Sequence, residues 1–173
     1  VIDIAKDISE GLARVATAGE VDGEVVDLRT VIDKDCELNI LTFNDEKGKG
    51  AFRHTTSHIM AQAIKRLYPD TKLAIGPSID NGFYYDMEKD TPFTQEDLEK
   101  IEKEMKKVAK SGKKIIRREV SKAEAMEMFK DDPYKLDLIE GLEDGNISVY
   151  DQGDFTDLCR GPHVDNTKLC KNF

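Results

Sequence analysis

Between Ala51 and Asp70 the apolar residues Ile59, Met60, Ala63, Ile64 and Leu67 recur at helical spacing until Tyr68-Pro69 stops the pattern. The period then changes at once to short apolar runs on either side of Asn81-Gly82. A helical period followed by strand-length runs calls for an α+β fold, in which helices cover a small antiparallel sheet. Asn81-Gly82 tolerates positive φ at both turn positions, so KLAIGPSIDNGFYYDM reads as two strands joined there.

Downstream, Thr94 with Asp97 has the form of a helix N-cap, and Leu98, Ile101, Met105 and Val108 mark one buried face. KIIRREV reads as a strand. Ser121 with Glu124 is a capping box before AMEMF, a short helix covers Tyr134–Glu140, and ISVY and DFTDL read as strands before a final loop and helix. Upstream, Ile4, Ala5, Ile8, Leu12 and Val15 have helical spacing. They are followed by strand-like VAT, EVVDLR and ELNILTF, with a Gly-containing turn at Val21-Asp22-Gly23. So small a helix-and-hairpin module makes a marginal core, and it is expected to be incomplete or docked on a neighbour. The polar stretch NDEKGKG ends this segment, which places a linker at 46–50 between a unit at 1–45 and a unit at 51–173.

Charged residues make up 35% of the 173 and hydrophobic ones 39%, which excludes collagen-like and wholly disordered chains. No apolar run approaches the ~18 residues of a membrane helix, and the N-terminus has no secretory pattern. Because the first residue is Val1 rather than Met, the chain is read as a piece of a longer one. Cys36, Cys159 and Cys170 are an odd number at no disulfide-framework spacing, so a reducing compartment, the cytoplasm, is expected. The net charge of −9 argues against DNA as a partner bound through overall charge. Between Lys100 and Arg118, however, nine basic residues stand against two acidic ones, and an acidic chain can still present one basic face.

The three histidines carry most of the chemistry. His54 and His58 are four apart on the helix, so both imidazoles project from one face, while His163 follows Cys159 by four in DLCRGPHV. HxxxH alone is weak, but its combination with CxxxH is much stronger. Three imidazoles and a thiolate make a tetrahedral set for Zn²⁺. The same groups also serve a metal-free acid/base pocket, or they are solvated helix histidines beside an ordinary buried cysteine, and spacing does not separate these readings. Asp157, two residues before Cys159 in a strand, would point to the same side and could hold a cationic amine. No GxxxxGK[ST] or GxGxxG loop offers a nucleotide site, and HTTSH lacks the Glu of HExxH that a zincin protease needs.

FRHTTSHIMAQAIKRLYPDTKLAIGPSIDNGFYYD, followed much later by DLCRGPHV, resembles the N-terminal region of the bacterial-type threonyl-tRNA synthetase family. The resemblance implies a truncated β-grasp, ubiquitin-like TGS module at 1–45, without its opening strands, ahead of an aminoacyl-tRNA editing domain at 51–173. That domain removes serine mistakenly attached to the threonine tRNA. Carried over residue by residue, the resemblance makes His54, His58, Cys159 and His163 the core of the pocket. Asp157 and His163 would hold the seryl amine and hydroxyl, and Tyr85 would lie near the seryl group or terminal ribose. Lys135 and His54 would handle the hydrolytic water. On residues alone, Tyr85 also reads as a core aromatic and Lys135 as a solvated lysine.

Family members of the threonyl type are implied to edit without bound zinc, whereas alanyl relatives hold it, so zinc at His54, His58, Cys159 and His163 stays open. ATP would belong to a catalytic core that this chain lacks, and no ligase activity is expected from it. The expected partners are serine-mischarged threonine tRNA and the rest of a synthetase chain, with no membrane. Lys106, Lys107 and Lys110 are the expected tRNA-backbone contacts. Two rivals remain: a free-standing zinc-dependent deacylase of the alanyl type, and a non-catalytic module that binds tRNA or a protein.

Overall fold

Ser9 divides the first apolar pattern in two. In the computed structural model, which describes residues 1–173, Ser9 is extended (φ −168°, ψ 147°) and its hydroxyl accepts the Leu12 N–H at 3.0 Å. This caps α2 (Glu10–Val15) and ends α1 (Ile2–Ile8). The single helix expected through Ile4–Val15 is therefore corrected, and Ile8 and Val15 are 64% and 48% exposed.

Strands β1 (Ala16–Val21), β2 (Glu24–Val26) and β3 (Leu38–Thr42) form an antiparallel sheet in the order β2-β1-β3, with Asp22 and Gly23 at positive φ in the first turn. β2 stops at Val26, so Asp27, Leu28 and Arg29 leave the sheet. Leu28 packs with Val1 and Ala16, while Ala18 and Leu41 pack on Ala51 of the next helix. The small module is thus docked.

That helix, α3 (Glu46–Leu67), begins earlier than the apolar pattern does. Residues 46–50, expected as a linker, form its first turn instead. Asp45 accepts the Thr42 N–H at 2.7 Å, and a Cβ on Gly48 would lie 2.0 Å from the Thr42 carbonyl oxygen. Glycine is required at position 48 because helix and strand backbones touch there.

The hairpin region is nested: β4 (Lys72–Leu73) pairs with β7 (Met87–Glu88) outside β5 (Ser78–Ile79) and β6 (Gly82–Phe83). Ile79 pairs with Gly82, so the turn is centred on Asp80-Asn81 rather than on Asn81-Gly82, and neither central residue has positive φ. The capping box at Thr94 and Asp97 starts α4 (Gln95–Lys110), and the one at Ser121 and Glu124 starts α5 (Lys122–Met128). Leu98 is half exposed, because the main core begins one turn later at Ile101. β8 (Ile115–Val120), α6 (Pro133–Glu140), β9 (Ile147–Gln152), β10 (Phe155–Leu158) and a 3-10 turn at Thr167–Leu169 complete the chain. The second sheet is antiparallel, in the order β10-β9-β8.

The main core joins Ile59, Ala63 and Ile64 of α3 to Ile101, Met105 and Val108 of α4, and to Ile115, Tyr150, Val164 and Cys170. Each buried Ile, Val or Met contributes about 1.5–3 kcal/mol. This core fixes α3 against β9 and the C-terminal segment, the two parts of the chain that carry the histidines and Cys159. All three cysteines are free thiols, and no helix is long and apolar enough to cross a membrane.

Candidate functional site

Helical spacing sets His54 and His58 one turn apart on α3, with ring centroids separated by 4.9 Å. His58 is buried, while His54 is partly exposed and lines a cavity of about 310 Å³ with Lys47, Pro77, Ser78, Gly161 and Pro162. The other half of the site returns from the C-terminal side. Past the end of β10, Cys159 is held by its N–H to the Ser148 carbonyl at 3.1 Å, and the Ser148 hydroxyl donates to the Cys159 carbonyl at 2.5 Å. Gly161 has φ +81°, and a Cβ there would sit 2.3 Å from the Tyr150 hydroxyl oxygen, so only glycine lets the chain turn at this point.

The turn brings His163 back onto the helix. Its ring stacks on His54 at 4.3 Å and 28° and meets His58 at 4.4 Å, while Cys159 Sγ lies 3.2 Å from His163 Nε2 and 3.4 Å from His54 Nε2. One donor atom from each of His54, His58, Cys159 and His163 falls within 4.8 Å of the others. The segments carrying HxxxH and CxxxH therefore close around one point.

Proton positions follow from counting donors. Thr55 Oγ1 has one hydrogen, which goes to the Ala51 carbonyl at 2.8 Å. Its lone pairs then accept the Val164 N–H at 3.1 Å and His163 Nδ1 at 2.9 Å. The His163 proton is therefore on Nδ1, and the Nε2 lone pair faces the thiol. Burial pushes the His163 pKa well below the ordinary histidine value and that of His58 down to about 3. His54 is lowered too, by burial, against the opposing pull of the Pro162 carbonyl and Asp157. Burial raises the Cys159 thiol to about 12, although the Gly161 N–H donates to its sulfur at 3.1 Å. At neutral pH the cluster is three neutral imidazoles and a thiol.

Such a set could hold a metal. Zinc with sulfur at about 2.3 Å and nitrogen at about 2.0–2.1 Å puts neighbouring donors roughly 3.3–3.6 Å apart. The two sulfur–nitrogen distances here, 3.4 and 3.2 Å, are of that size. Thr55 beneath His163 and Asp157 beside His58 Nδ1 at 3.4 Å are the outer partners such ligands require.

A second buried group adjoins the first. Asp132 caps α6 and accepts the Leu73 N–H at 2.7 Å, which draws that helix against the hairpin and brings in Lys135, only 2% exposed. Lys135 Nζ donates to the Tyr85 hydroxyl at 2.9 Å, and Tyr85 donates to Asp157 Oδ2 at 2.5 Å. Nζ also lies 2.6 Å from Asp157 Oδ1, an ion pair outside hydrogen-bonding angles. Burial would raise the Asp157 carboxyl, but His58, Lys135 and Tyr85 together hold it below its ordinary value. Because His58 is neutral, the lasting countercharge is Lys135. Lys135 is therefore no solvated lysine, and Tyr85 is both a packed aromatic and a hydrogen-bonding link.

Every polar atom of His163 is occupied, since Asp27 and Arg29 bind its backbone and Thr55 and Cys159 its ring. His54 and Cys159 are the members of the cluster open to cavities; Cys159 lines a second one of about 260 Å³ with Leu138, Leu142, Leu158 and Arg160. Lys106 and Lys107 pair with Glu102 and Glu104, whereas Lys110 is exposed with no acidic partner. Sequence reasoning missed Thr55, although it lies inside HTTSH and a threonine in a buried helical turn must bond somewhere. It also missed Asp27 and Arg29, for which no local signal exists.

The description "Threonyl and Alanyl tRNA synthetase second additional domain" matches residues 147–173, and "TGS domain" matches residues 1–42. A threonine–tRNA ligase of Acetivibrio thermocellus is 57% identical over 99% of this chain, and one of Clostridioides difficile is 59% identical over 99%. The chain matches the N-terminal region of threonyl-tRNA synthetases. A third such ligase, of Desulforamulus reducens, is 53% identical over 100% of the chain. The chain spans 27% of the length of the first two relatives. The TGS match fits a ubiquitin-like reading of the N-terminal helix-and-strand module, and the other match spans β9, β10, Cys159 and His163.

Proposed function

We propose that the chain hydrolyses the ester joining serine to the terminal ribose of threonine tRNA, with a TGS module at 1–45 and an editing domain at 51–173. The observation that carries this reading is the closure of HxxxH on CxxxH at one point, beside cavities that reach His54 and Cys159. Neutral His54 takes the proton of the attacking water and returns it to the leaving ribose hydroxyl, so water adds to the acyl carbon as the ester bond breaks. His58 and Cys159 shape the wall on which the seryl group rests. Asp157 attracts the seryl ammonium and shares its charge with Lys135, while Tyr85 links the two. His163 acts through the sulfur and ring it holds in place. A Zn²⁺ held by His54, His58, Cys159 and His163 would polarise the ester carbonyl or the water, and the reading does not require it.

The energetic reason for a second site is that a methyl-sized difference gives a synthetic pocket only about 1–3 kcal/mol of discrimination. A cavity that admits serine and clashes with the threonine methyl adds an independent sieve. The tRNA backbone is assigned to the Lys100–Arg118 face, chiefly to residues without acidic partners such as Lys110, rather than to the paired Lys106 and Lys107.

The test is single-turnover deacylation of seryl-, threonyl- and alanyl-tRNA by this chain, with and without chelator. Seryl-tRNA is expected to be cleaved at least about tenfold faster than threonyl-tRNA, with the rate unchanged by chelator. Loss of activity with chelator would favour the metal-dependent alanyl type, and no cleavage of any ester would leave a binding module.

A further inference from the structure

Asp27 and Arg29, which leave the first sheet after β2, reach the far end of the chain. Asp27 Oδ2 accepts the His163 N–H at 3.0 Å and the Tyr150 hydroxyl at 2.9 Å, while its Oδ1 accepts the Arg29 N–H at 2.8 Å. Arg29 donates from Nη1 to the His163 carbonyl at 2.9 Å, and from Nη2 to the Val164 carbonyl at 2.8 Å and the Ile115 carbonyl at 2.7 Å. Both side chains are largely buried, 10% and 19% exposed, and Leu28 between them is fully buried. The Tyr150 ring that Asp27 holds packs on the His163 ring at 4.5 Å. A planar guanidinium that satisfies three carbonyls in one fork fixes orientation as well as position.

We propose that Asp27 and Arg29 are positioning residues of the hydrolytic site, so that the pocket is a composite of the TGS-matched segment and the C-terminal segment. The inference rests on the deacylase reading given above. His163 has no freedom in its backbone: the N–H belongs to Asp27 and the C=O to Arg29. Its ring direction, and with it the place of Cys159 Sγ and the surface on which His54 stacks, follows from that anchorage. The segment at 27–29 thus couples the state of the N-terminal module to the geometry of the catalytic imidazole, His54.

The experiment uses the full chain with Arg29→Ala, Asp27→Ala and, as control, Leu41→Ala, a buried position of the same module that does not touch His163. Deacylation of seryl-tRNA, thermal unfolding and the NMR resonances of the His163 ring are measured for each. Arg29→Ala and Asp27→Ala are expected to lower kcat at least tenfold with little change in KM, and to move the His163 ring resonances. Leu41→Ala is expected to lower the unfolding temperature comparably while keeping both rate and resonances. Equal losses in all three variants, or parental rate and resonances in Arg29→Ala, overturn the positioning role while leaving the deacylase reading intact. If the parent hydrolyses nothing, the deacylase reading fails by itself. The ring resonances then still decide the anchorage: unmoved, they refute it, and displaced only in the Asp27 and Arg29 variants, they support it.

Discussion

On the proposed deacylase reading, His54→Ala is expected to lower the rate of seryl-tRNA deacylation by about 10²–10⁴-fold, the usual contribution of a positioned general base, and to leave the unfolding temperature within a few degrees of the parent. The asymmetry follows from where the side chain sits. His54 is the histidine of the cluster that reaches a cavity, and burial keeps it neutral, so the ring can accept a proton, with its Nε2 3.4 Å from Cys159 Sγ. It is also outside the hydrophobic core, so its loss removes no large buried apolar surface. His58 and His163 are wholly buried and their replacement would confound chemistry with folding. Single-turnover kinetics and thermal unfolding on the same preparation check the prediction. Parental activity in His54→Ala removes this residue from the mechanism.

Lys135→Met destabilises the chain by about 3–5 kcal/mol, because it leaves the Asp157 carboxylate buried without its countercharge. For a protein of this size that corresponds to a fall of roughly 6–20 °C in unfolding temperature. The ammonium is 2.6 Å from Asp157 Oδ1 and both side chains are almost fully buried, so solvent screens little of the interaction. Adding Asp157→Asn to Lys135→Met removes the orphaned charge and recovers at least about 1 kcal/mol, a non-additive result expected of groups in direct contact. A drop of less than about 1 kcal/mol for Lys135→Met, or additive effects in the double variant, would show that the pair contributes no more than a surface ion pair.

Local chemistry made the helices legible. Thr94 with Asp97 and Ser121 with Glu124 announce their helix starts because a capping box is satisfied within four residues, and the structure forms both. The same locality makes HxxxH and CxxxH legible as two separate pairs, whereas their union across 105 positions came from the family resemblance and not from spacing. What was misread depends on contacts that apolar periodicity and composition do not register, some of them local and some distant. Ser9 breaks a helix that periodicity alone would continue, because its hydroxyl caps the Leu12 N–H, and residues 46–50 open α3, where Gly48 is required by the approach of the Thr42 carbonyl. The turn at Asp80-Asn81 displaces the one expected at Asn81-Gly82 because pairing register, not dipeptide preference, sets it. Lys135 looks like a surface lysine until Asp157 is folded beside it. Arg29 and His163, 134 positions apart, share no pattern that a sequence could display.

The most direct measurement is titration of the chain with a non-hydrolysable seryl-adenosine, in which an amide replaces the ester, followed through the histidine ring resonances. A saturable shift at His54, with the threonyl analogue binding at least about tenfold more weakly, is the predicted result. Unmoved His54 resonances, or equal affinity for the two analogues, would contradict a pocket in which that imidazole faces a seryl ester.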